Sequence, residues 1–318
     1  MDEFNVKPIN YLYTYSCHED ELSLCRLEMR SLFGFDTESS ILESSLRIDP
    51  SRSPFIKERI DVLYKENTVE DIARQVKKLH IVGSTFRVIF MKNDELDVSE
   101  KVGFEERRSI ERKIGLLIKG KVDLVNPELL FAIMKGKNGW ILGQYFKSEA
   151  IWLRHQSKPQ QYSTALSTRV ARAVVNIAIP NPLGIKAIDP CCGIGTVLIE
   201  ALSMGIDIVG SDLNPLVLLG ARENIAHFGF QTEVALRDIR NVTGKYDVAI
   251  VDMPYNLCSV ITVQEKLEMI QSARRFSKKL VVVTIEPMDS AIQEAGFEIV
   301  DRCVAKKGTF SREVLVCE

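Results

Sequence analysis

The residues best suited to chemistry in this sequence lie in four short segments of its second half. The first segment, residues 189–196, reads Asp-Pro-Cys-Cys-Gly-Ile-Gly-Thr between a short apolar run and a helical pattern. Gly193 and Gly195 would let the backbone turn tightly and approach a ligand, and the following helix would offer free N–H groups. A dinucleotide-binding loop favours a third glycine, but Leu198 stands at that position, which disfavours NAD.

Three acidic residues follow predicted strands in this region. Asp189 suits a ligand with an ammonium group, such as the methionine part of S-adenosylmethionine. Asp212 lies 23 residues further on, where a carboxylate can accept both ribose hydroxyls of a nucleoside. Asp238 can accept from an adenine amine, with Ile239 packed on the ring. Each has a purely structural alternative: a tight turn, a helix N-cap and a solvated loop acid.

The fourth segment, residues 252–255, reads Asp-Met-Pro-Tyr after an apolar run that predicts a buried strand. The exocyclic amine of a base is a poor nucleophile because its lone pair is delocalised into the ring. The Asp252 carboxylate and the Met253 carbonyl can accept both amine hydrogens and stabilise the positive charge that develops on nitrogen. Pro254 fixes the turn, and Tyr255 can stack on a base that has left its own stack. The alternative is a surface turn.

The elements that would position these segments alternate between strand and helix. Apolar residues at Leu166, Val170, Val174 and Ile177 predict the first helix. Repeated β-α-β units predict a mainly parallel sheet with helices on both faces, and residues 297–305 and 313–317 predict a terminal hairpin. The other predicted strands span 187–189, 207–211, 233–236, 246–251 and 279–284, and the other helices span 196–204, 216–228, 263–276 and 288–295.

The first half shows a separate α+β pattern. Strands are predicted over 11–15, 86–90 and 140–142, and helices over 19–32 and 104–119. The polar stretch 148–163 contains Pro159 and three glutamines and is typical of a linker.

Together, the four segments closely resemble the Rossmann-fold methyltransferases of the THUMP-containing tRNA guanosine-N2 family. That family commonly has proline where this chain has Met253, a side-chain change that leaves the carbonyl in place. Residues 158–178 resemble the family's lead-in helix. In the first half, 83–88, 104–115 and 122–128 resemble a THUMP domain, and 1–55 resemble the small ferredoxin-like domain before it.

The resemblance implies an α/β fold in four parts. These are a ferredoxin-like domain (1–55), a THUMP-like RNA-binding domain (56–147), a linker (148–165) and a class I, Rossmann-like methyltransferase domain (166–318). It implies S-adenosylmethionine as the cofactor, with catalysis by Asp252, Pro254 and Tyr255. The implied cofactor contacts are Asp189, Pro190, Cys191, Gly193, Gly195, Thr196, Asp212, Leu213, Asp238, Ile239 and Thr164.

The resemblance also implies tRNA as the partner, because THUMP domains are understood to grip its acceptor end. Residues 101–121 carry seven basic and three acidic side chains, so this stretch could face RNA phosphates. A solvated helix face is the alternative. The candidate RNA contacts are Arg107, Arg108, Arg112 and Lys113, with Arg154 and Lys158 from the linker. Target selection by the N-terminal half predicts that deleting residues 1–147 abolishes transfer to tRNA and leaves cofactor binding largely intact.

Other functions stay open at this stage. The motif also permits methylation of adenine N6 in RNA or DNA, of ribosomal RNA, or of a protein amide. A non-catalytic RNA-binding protein with the same fold is a third reading, and a dehydrogenase is a distant fourth. Adjacent Cys191 and Cys192 raise the question of a cysteine nucleophile for ring-carbon methylation, but we interpret them as loop packing. A requirement for an activating subunit is also left open.

Composition sets the remaining expectations. A net charge of -2 gives no global basicity, which argues only weakly against nucleic-acid binding. Seven cysteines without a C-x-x-C pair disfavour zinc and a disulfide framework, and no metal site is predicted. The acidic N-terminus lacks the apolar region of a signal peptide, and no apolar run is long enough to span a bilayer. We therefore expect a cytoplasmic protein.

Overall fold

The computed structural model describes residues 6–254, 261–308 and 310–318. The chain forms two compact units, and each is built from segments that are not contiguous in sequence. The N-terminal unit consists of Met1–Ser16, Thr37–Ser51 and Ile56–Glu149, and the C-terminal unit consists of Cys17–Asp36, Arg52–Phe55 and Ala150–Glu318.

Between residues 6 and 147, the part of the first half that the structure describes, there are seven strands and three α-helices. The strands are β1 (Asn10–Tyr15), β2 (Ile41–Ser44), β3 (Ile56–Glu66), β4 (His80–Met91), β5 (Lys119–Val122), β6 (Leu129–Gly136) and β7 (Gly139–Lys147). The helices are α1 (Leu22–Phe33), which belongs to the C-terminal unit, and α2 (Val69–Val76) and α3 (Phe104–Leu117), which belong to the N-terminal unit.

All seven strands of the N-terminal unit form one sheet in the order β2-β1-β3-β7-β6-β4-β5. Strand β4 runs parallel to β5 and β6, and the other pairs are antiparallel. Residues 1–55, which were predicted to form one domain, are instead divided between the two units, and the chain returns to the N-terminal unit at Ile56. Strand β1 supplies the hydrogen-bonding partners of β3, so an edge that a separate domain would leave open is covered.

The core of the N-terminal unit lies between this sheet and helices α2 and α3. Buried Phe86 and Phe131 meet edge to face with ring centroids 6.2 Å apart, and Ile110 and Ile114 of α3 pack into the same cluster. Apolar residues three to four apart put one face of α3 in the core. The opposite, charged face of α3 is exposed to solvent.

The C-terminal unit has the alternating order that the sequence predicted. Its strands are β8 (Lys186–Asp189), β9 (Asp207–Asp212), β10 (Val234–Leu236), β11 (Tyr246–Asp252), β12 (Ser277–Thr284), β13 (Ile299–Lys307) and β14 (Phe310–Cys317). Its later helices are α4 (Thr168–Ala178), α5 (Thr196–Ser203), α6 (Pro215–His227), α7 (Val263–Phe276) and α8 (Asp289–Glu294).

The sheet of this unit runs in the order β10-β9-β8-β11-β12-β14-β13. The first five strands run parallel to one another, and β14 runs antiparallel to both of its neighbours, β12 and β13. The predicted parallel sheet with a terminal antiparallel hairpin is therefore confirmed. The strand order reverses between β8 and β11, and in open α/β sheets such a switch point opens a crevice at the carboxyl ends of the strands.

Residues 150–163, which were predicted to belong to a linker, are part of the C-terminal unit. Residues Ile151–Gln156 form a 3₁₀ helix, and Trp152 and His155 are buried. The Nδ1 atom of His155 lies 2.8 Å from a carboxylate oxygen of the buried Glu200 in α5. This contact fixes the segment to the helix that follows the glycine loop.

Helix α1 enters the same unit through buried polar contacts. The Glu28 carboxylate accepts hydrogen bonds from Ser53 (2.5 Å) and from Asn176 of α4 (2.6 Å). Arg172 of α4 donates to the Arg52 carbonyl at 2.8 Å. These contacts explain why two short segments from the first half of the chain fold with the second half. Within the described residues, no helix is both long and apolar enough to cross a membrane.

Candidate active site

A cavity of about 450 Å³ opens at the carboxyl ends of four adjacent strands in the C-terminal unit. Asp189 ends β8, Asp212 ends β9 and Asp252 ends β11, and Asp238 follows β10 two residues after its end. The reversal of strand order brings four carboxylates from four segments to one cavity wall. All four line the cavity.

The glycine loop forms one wall and needs both glycines, for different reasons. Gly193 has φ +51°, and a Cβ added there would meet no protein atom within 4 Å, so its surface faces open space in the cavity. Gly195 has φ +81°, and its Cβ would lie 3.4 Å from the Cβ of Ala221 in α6. Gly193 therefore lines the cavity, whereas Gly195 allows α5 and α6 to pack closely.

Leu198 explains why the third glycine of a dinucleotide loop is missing. The side chain is fully buried. A Cβ on Gly210 of β9 would lie 2.5 Å from Leu198 Cδ1, so the close approach of helix and strand is achieved with a glycine on the strand instead of the helix.

Asp189 and Asp212 are tied to the backbone of this loop. Asp189 accepts from the Cys191 N–H at 3.1 Å. Asp212 accepts from the Gly193 N–H at 2.8 Å and from the Asn214 N–H at 2.9 Å. Each carboxylate oxygen of Asp212 thus has one backbone partner and can still accept from a ligand hydroxyl.

Burial shapes the protonation of Asp189. The residue is 2% exposed, and this burial, reinforced by the nearby Asp252 and Asp212 charges, raises the pKa of Asp189 well above its ordinary value. The Cys191 N–H opposes this rise. A cationic ligand group beside Asp189 would compensate for the desolvation, so the site favours a positively charged partner.

The Asp238 carboxylate already accepts hydrogen bonds from Arg240, a residue that was not among the predicted site residues. Arg240 donates its backbone N–H to Asp238 at 2.8 Å and its Nη2 at 2.6 Å. The Arg240 guanidinium lowers the pKa of the Asp238 carboxyl. An adenine amine would therefore have to share this carboxylate with Arg240, while the buried Ile239 beside it still offers an apolar wall.

The Asp252 carboxylate carries a buried oxygen whose hydrogen-bonding capacity is unused within the described residues. Its Oδ1 atom is buried and has no hydrogen-bond partner among the described residues. Desolvation raises the pKa of Asp252 to about 7, and the charge of Arg312 opposes the rise. An unpaired carboxylate oxygen at the edge of a cavity is suited to accept a hydrogen from a ligand.

Met253 adds something that the usual proline cannot. Its N–H donates to the Val283 carbonyl of β12 at 2.8 Å, and its buried side chain packs in the core beneath the sheet end. Proline has no N–H, so this chain fixes the turn after Asp252 through a backbone hydrogen bond. Pro254 also lines the cavity.

The structure brings most of the predicted site residues together. Besides the four acids, the cavity is lined by these predicted residues: Pro190, Cys191, Gly193, Thr196, Leu213, Ile239, Thr164 and Pro254. Tyr255 lies outside the described residues, and Gly195 is structural. Four further residues of the lining were not predicted from the sequence: Tyr162, Arg240, Glu265 and Met269. Of these, only Tyr162 could have been proposed from the sequence, because it lies two residues before the predicted cofactor contact Thr164.

The predicted RNA contacts divide into different groups. Arg108 and Lys113 are exposed but pair with Glu111 and Glu70. Arg107 is half-buried beside Phe104, while Arg112 is exposed. Arg154 is exposed in the C-terminal unit.

Lys158 does not fit its predicted role. Its side chain is only 8% exposed, and burial lowers its pKa although the Glu200 charge opposes this. A side chain held inside the unit is not presented to RNA, so Lys158 is removed from the candidate RNA contacts.

The chemistry of the cavity fits S-adenosylmethionine, the methyl donor that the resemblance implies. Asp189 suits the methionine ammonium, Asp212 suits the ribose hydroxyls, and open space over Gly193 leaves room for the ligand backbone. The buried Thr196 hydroxyl has no partner among the described residues and lines the same cavity. Unused polar atoms of this kind indicate a site made for a polar ligand.

Comparisons with known proteins agree with this geometry. Residues 155–281 match the UPF0020 family model, described as an RMKL-like methyltransferase domain. The tRNA (guanine(10)-N2)-dimethyltransferase of Methanothermobacter thermautotrophicus is 34% identical over 181 residues, which cover 52% of this chain and 52% of that protein. The Methanocaldococcus jannaschii enzyme of the same name is 24% identical over 247 residues, or 65% and 68% of the two chains.

More distant similarities extend to an enzyme of another name and to a solved structure. The human U6 snRNA (guanine-N(2))-methyltransferase THUMPD2 is 28% identical over 142 residues, covering 42% of this chain and 27% of that protein. The crystal structure of TrmN from Thermus thermophilus aligns over 97% of this chain and 99% of that one, with 18% identity and a TM-score of 0.48.

The chain spans about half the length of the first of these relatives. The matched region includes the glycine loop, Asp212, Asp238 and the Asp252 turn, which are the segments that form the cavity. The matches support the predicted resemblance: residues 155–281 are similar to RMKL-like methyltransferase domains, and this part of the chain is similar to tRNA guanine-N2 methyltransferases.

Proposed function

We propose that this protein transfers a methyl group from S-adenosylmethionine to the exocyclic N2 amine of a guanosine in tRNA. The observation that carries the proposal is the Asp252 carboxylate, whose buried Oδ1 has no partner among the described residues and borders the cavity. The names of the matched relatives support guanine N2 as the acceptor.

The chain's own residues have distinct tasks in this proposal. S-adenosylmethionine supplies an activated methyl group on a sulfonium. Asp189, Asp212 and Thr196 hold the cofactor, and the apolar side chains of Ile239 and Met269 pack beside it. Asp252 accepts one amine hydrogen and orients the nitrogen lone pair towards the methyl group, which lowers the barrier by positioning and by electrostatic stabilisation.

Protonation decides whether Asp252 can perform this task. Only the carboxylate accepts a hydrogen bond at both oxygens, and the pKa of Asp252 is raised to about 7. The rate of transfer should therefore rise with pH through about 7 and level off above it. The proton released by the amine after transfer passes to Asp252 or to water.

The cysteines of the loop do not favour chemistry at a ring carbon. Burial and the surrounding carboxylates raise the pKa of Cys191 well above its usual range, and burial does the same for Cys192. A nucleophilic cysteine needs an accessible thiolate. The environment therefore supports amine chemistry and leaves the two cysteines as packing residues of the loop.

We propose that the N-terminal unit contributes to RNA recognition through the exposed face of α3. Arg112 is exposed on this face and has no ion-pair partner among the described residues, unlike Arg108 and Lys113. Arg112→Glu should weaken tRNA binding and reduce the slope of log affinity against log salt by about 1. Unchanged binding and slope would remove α3 from the interface.

The reaction is tested by transfer of labelled methyl groups from S-adenosylmethionine to unmodified tRNA, followed by nucleoside mass spectrometry. Wild-type protein should produce N2-methylguanosine or N2,N2-dimethylguanosine, and Asp252→Ala should not. Asp247→Ala is the matched control, because Asp247 is on the same strand but pairs with Lys278 outside the cavity. Labelled N6-methyladenosine, or no label with the cofactor still bound, would contradict the proposed acceptor.

A further inference from the structure

A half-buried arginine on the terminal hairpin exerts its charge on Asp252, and neither the motifs nor the family match includes it. Arg312 lies on β14, outside the matched residues 155–281. Its Nη2 donates to the Thr164 carbonyl at 2.9 Å. Thr164, Ala165 and Leu166 all line the cavity, so this hydrogen bond ties a cavity wall to the hairpin.

The register of the sheet places Arg312 on the same face as Asp252. Asp252 lies opposite Val283 of β12, and Val283 lies opposite Val314 of β14. Directly opposite residues share a face of the sheet, and so do residues two apart on a strand. Arg312 precedes Val314 by two residues, and because β14 is antiparallel to β12, it lies beyond the carboxyl ends of the strands, at the level of the cavity.

The position of the guanidinium is further constrained by an aromatic ring. Its Cζ atom lies 4.8 Å from the ring centroid of Phe310 on the same strand. The contact with the aromatic ring and the hydrogen bond to the Thr164 carbonyl hold the cation in place. Its charge acts on Asp252, and each group shifts the titration of the other.

We propose that Arg312 is a positioning residue of this site: it holds the Thr164 segment against the cavity and supplies the positive charge that keeps Asp252 in its hydrogen-accepting form. The second role rests on the proposed function of Asp252. The neighbouring Asp189 and Cys191 supply no positive charge, and the charge of Asp252 raises the pKa of each of them. Glu265 of α7 and the paired Asp238 and Arg240 line the same cavity.

The first test reads the titration of Asp252 directly, in the absence of cofactor and RNA. Carboxyl-carbon NMR of protein labelled at aspartate, with the resonance assigned by its loss in Asp252→Asn, gives the midpoint in each variant. Arg312→Gln should raise the midpoint by roughly one unit, and Arg312→Lys should leave it nearly unchanged. Arg302→Gln is the matched control, because Arg302 is an exposed arginine of the same hairpin and pairs with Asp289 and Glu313.

A midpoint that stays the same in Arg312→Gln would overturn the proposal. If Arg312→Gln does not fold, the guanidinium resonances of wild-type Arg312 provide a second measurement. The chemical shifts of these resonances should change with pH around the titration midpoint of Asp252, and this change should be absent in Asp252→Asn. Chemical shifts that are equally insensitive to pH in the wild type would also overturn the proposal.

The second test separates positioning from a merely structural role. In Arg312→Gln, methyl transfer at pH 7 should fall about fivefold, as expected when a midpoint moves from 7 to about 8, and should recover at pH 9. A loss that is equal at all pH values would contradict the charge role. A wild type that transfers no methyl group to tRNA would refute the proposed function, and the NMR titration would still decide the role of Arg312.

Discussion

Replacing Asp252 by asparagine should stabilise the C-terminal unit at alkaline pH. In the folded protein, burial raises the pKa of Asp252 to about 7, whereas an aspartate in an unfolded chain titrates near 3.9. A raised carboxyl pKa means that the folded state holds the proton more tightly. Its stability therefore falls as pH rises from about 4 to about 7, and the full cost is present above that range.

The size of the effect follows from this difference in pKa. Three units at roughly 1.4 kcal/mol each give a cost of about 4 kcal/mol above pH 7, and roughly a third of this cost is already present at pH 5. Asparagine has the same shape and does not ionise. Relative to the wild type, Asp252→Asn should therefore become more stable by about 3 kcal/mol between pH 5 and pH 8, and less if water enters the cavity beside the carboxylate.

Hydrogen exchange of the β11 and β12 amides is the suitable assay, because it reports the opening of the C-terminal unit itself. Asp247→Asn on the same strand is the control with the opposite sign. The Lys186 N–H and the Lys278 side chain lower the pKa of Asp247, so Asp247 stabilises the fold above its unfolded pKa and its replacement should weaken the unit at pH 8. An Asp252→Asn variant with no pH-dependent gain would refute the reasoning.

The remaining predictions concern the cofactor loop and the boundary of the unit. Asp189→Asn should weaken binding of S-adenosylhomocysteine about 10- to 100-fold in calorimetry, because a hydrogen bond to a charged group is lost; a smaller effect would argue against an ammonium at Asp189. Gly193→Ala and Gly205→Ala both place alanine at positive φ with open space around its Cβ. Each substitution should therefore cost about 1 kcal/mol of stability. Only Gly193→Ala should also impair cofactor binding in the same calorimetry. Deletion of residues 1–147 should abolish folding and cofactor binding, measured by circular dichroism and calorimetry, and a folded, cofactor-binding fragment would contradict the observed division of the chain.

Much of the site could be predicted because its determinants are local in sequence. The loop with Gly193 and Gly195, and the acids that end β8, β9 and β11, each follow an apolar run and precede a turn. Parallel strands must bring such ends to one edge of the sheet. The positions of Asp189, Asp212 and Asp252 around one cavity are thus consequences of topology, and the alternating pattern was enough to predict that topology.

The charges that tune these acids could not be predicted in the same way. Arg240 stands two residues after Asp238, but whether it turns back to that carboxylate depends on the short 3₁₀ turn between them. Arg312 follows Asp252 by 60 residues and reaches the site only because β14 returns antiparallel beside β12. Hydrophobic periodicity gives the strand, but it does not give the register that decides which charged side chain lies over the cavity.

The assignment of α1 to the C-terminal unit could not be predicted for a related reason. The helix at 22–33 was predicted, yet its assignment to the C-terminal unit depends on contacts such as that between Glu28 and Asn176, which are 148 residues apart. Burial raises the pKa of Glu28 to about 7, and Ser53 and Asn176 supply the hydrogen bonds that make this burial tolerable. Removing α1 and residues 52–55 from the unit would take away the hydrogen bonds that the buried Asn176 makes with Glu28 and Arg52. The polar network, which a hydrophobic pattern cannot reveal, therefore makes two segments of the first half part of the C-terminal unit.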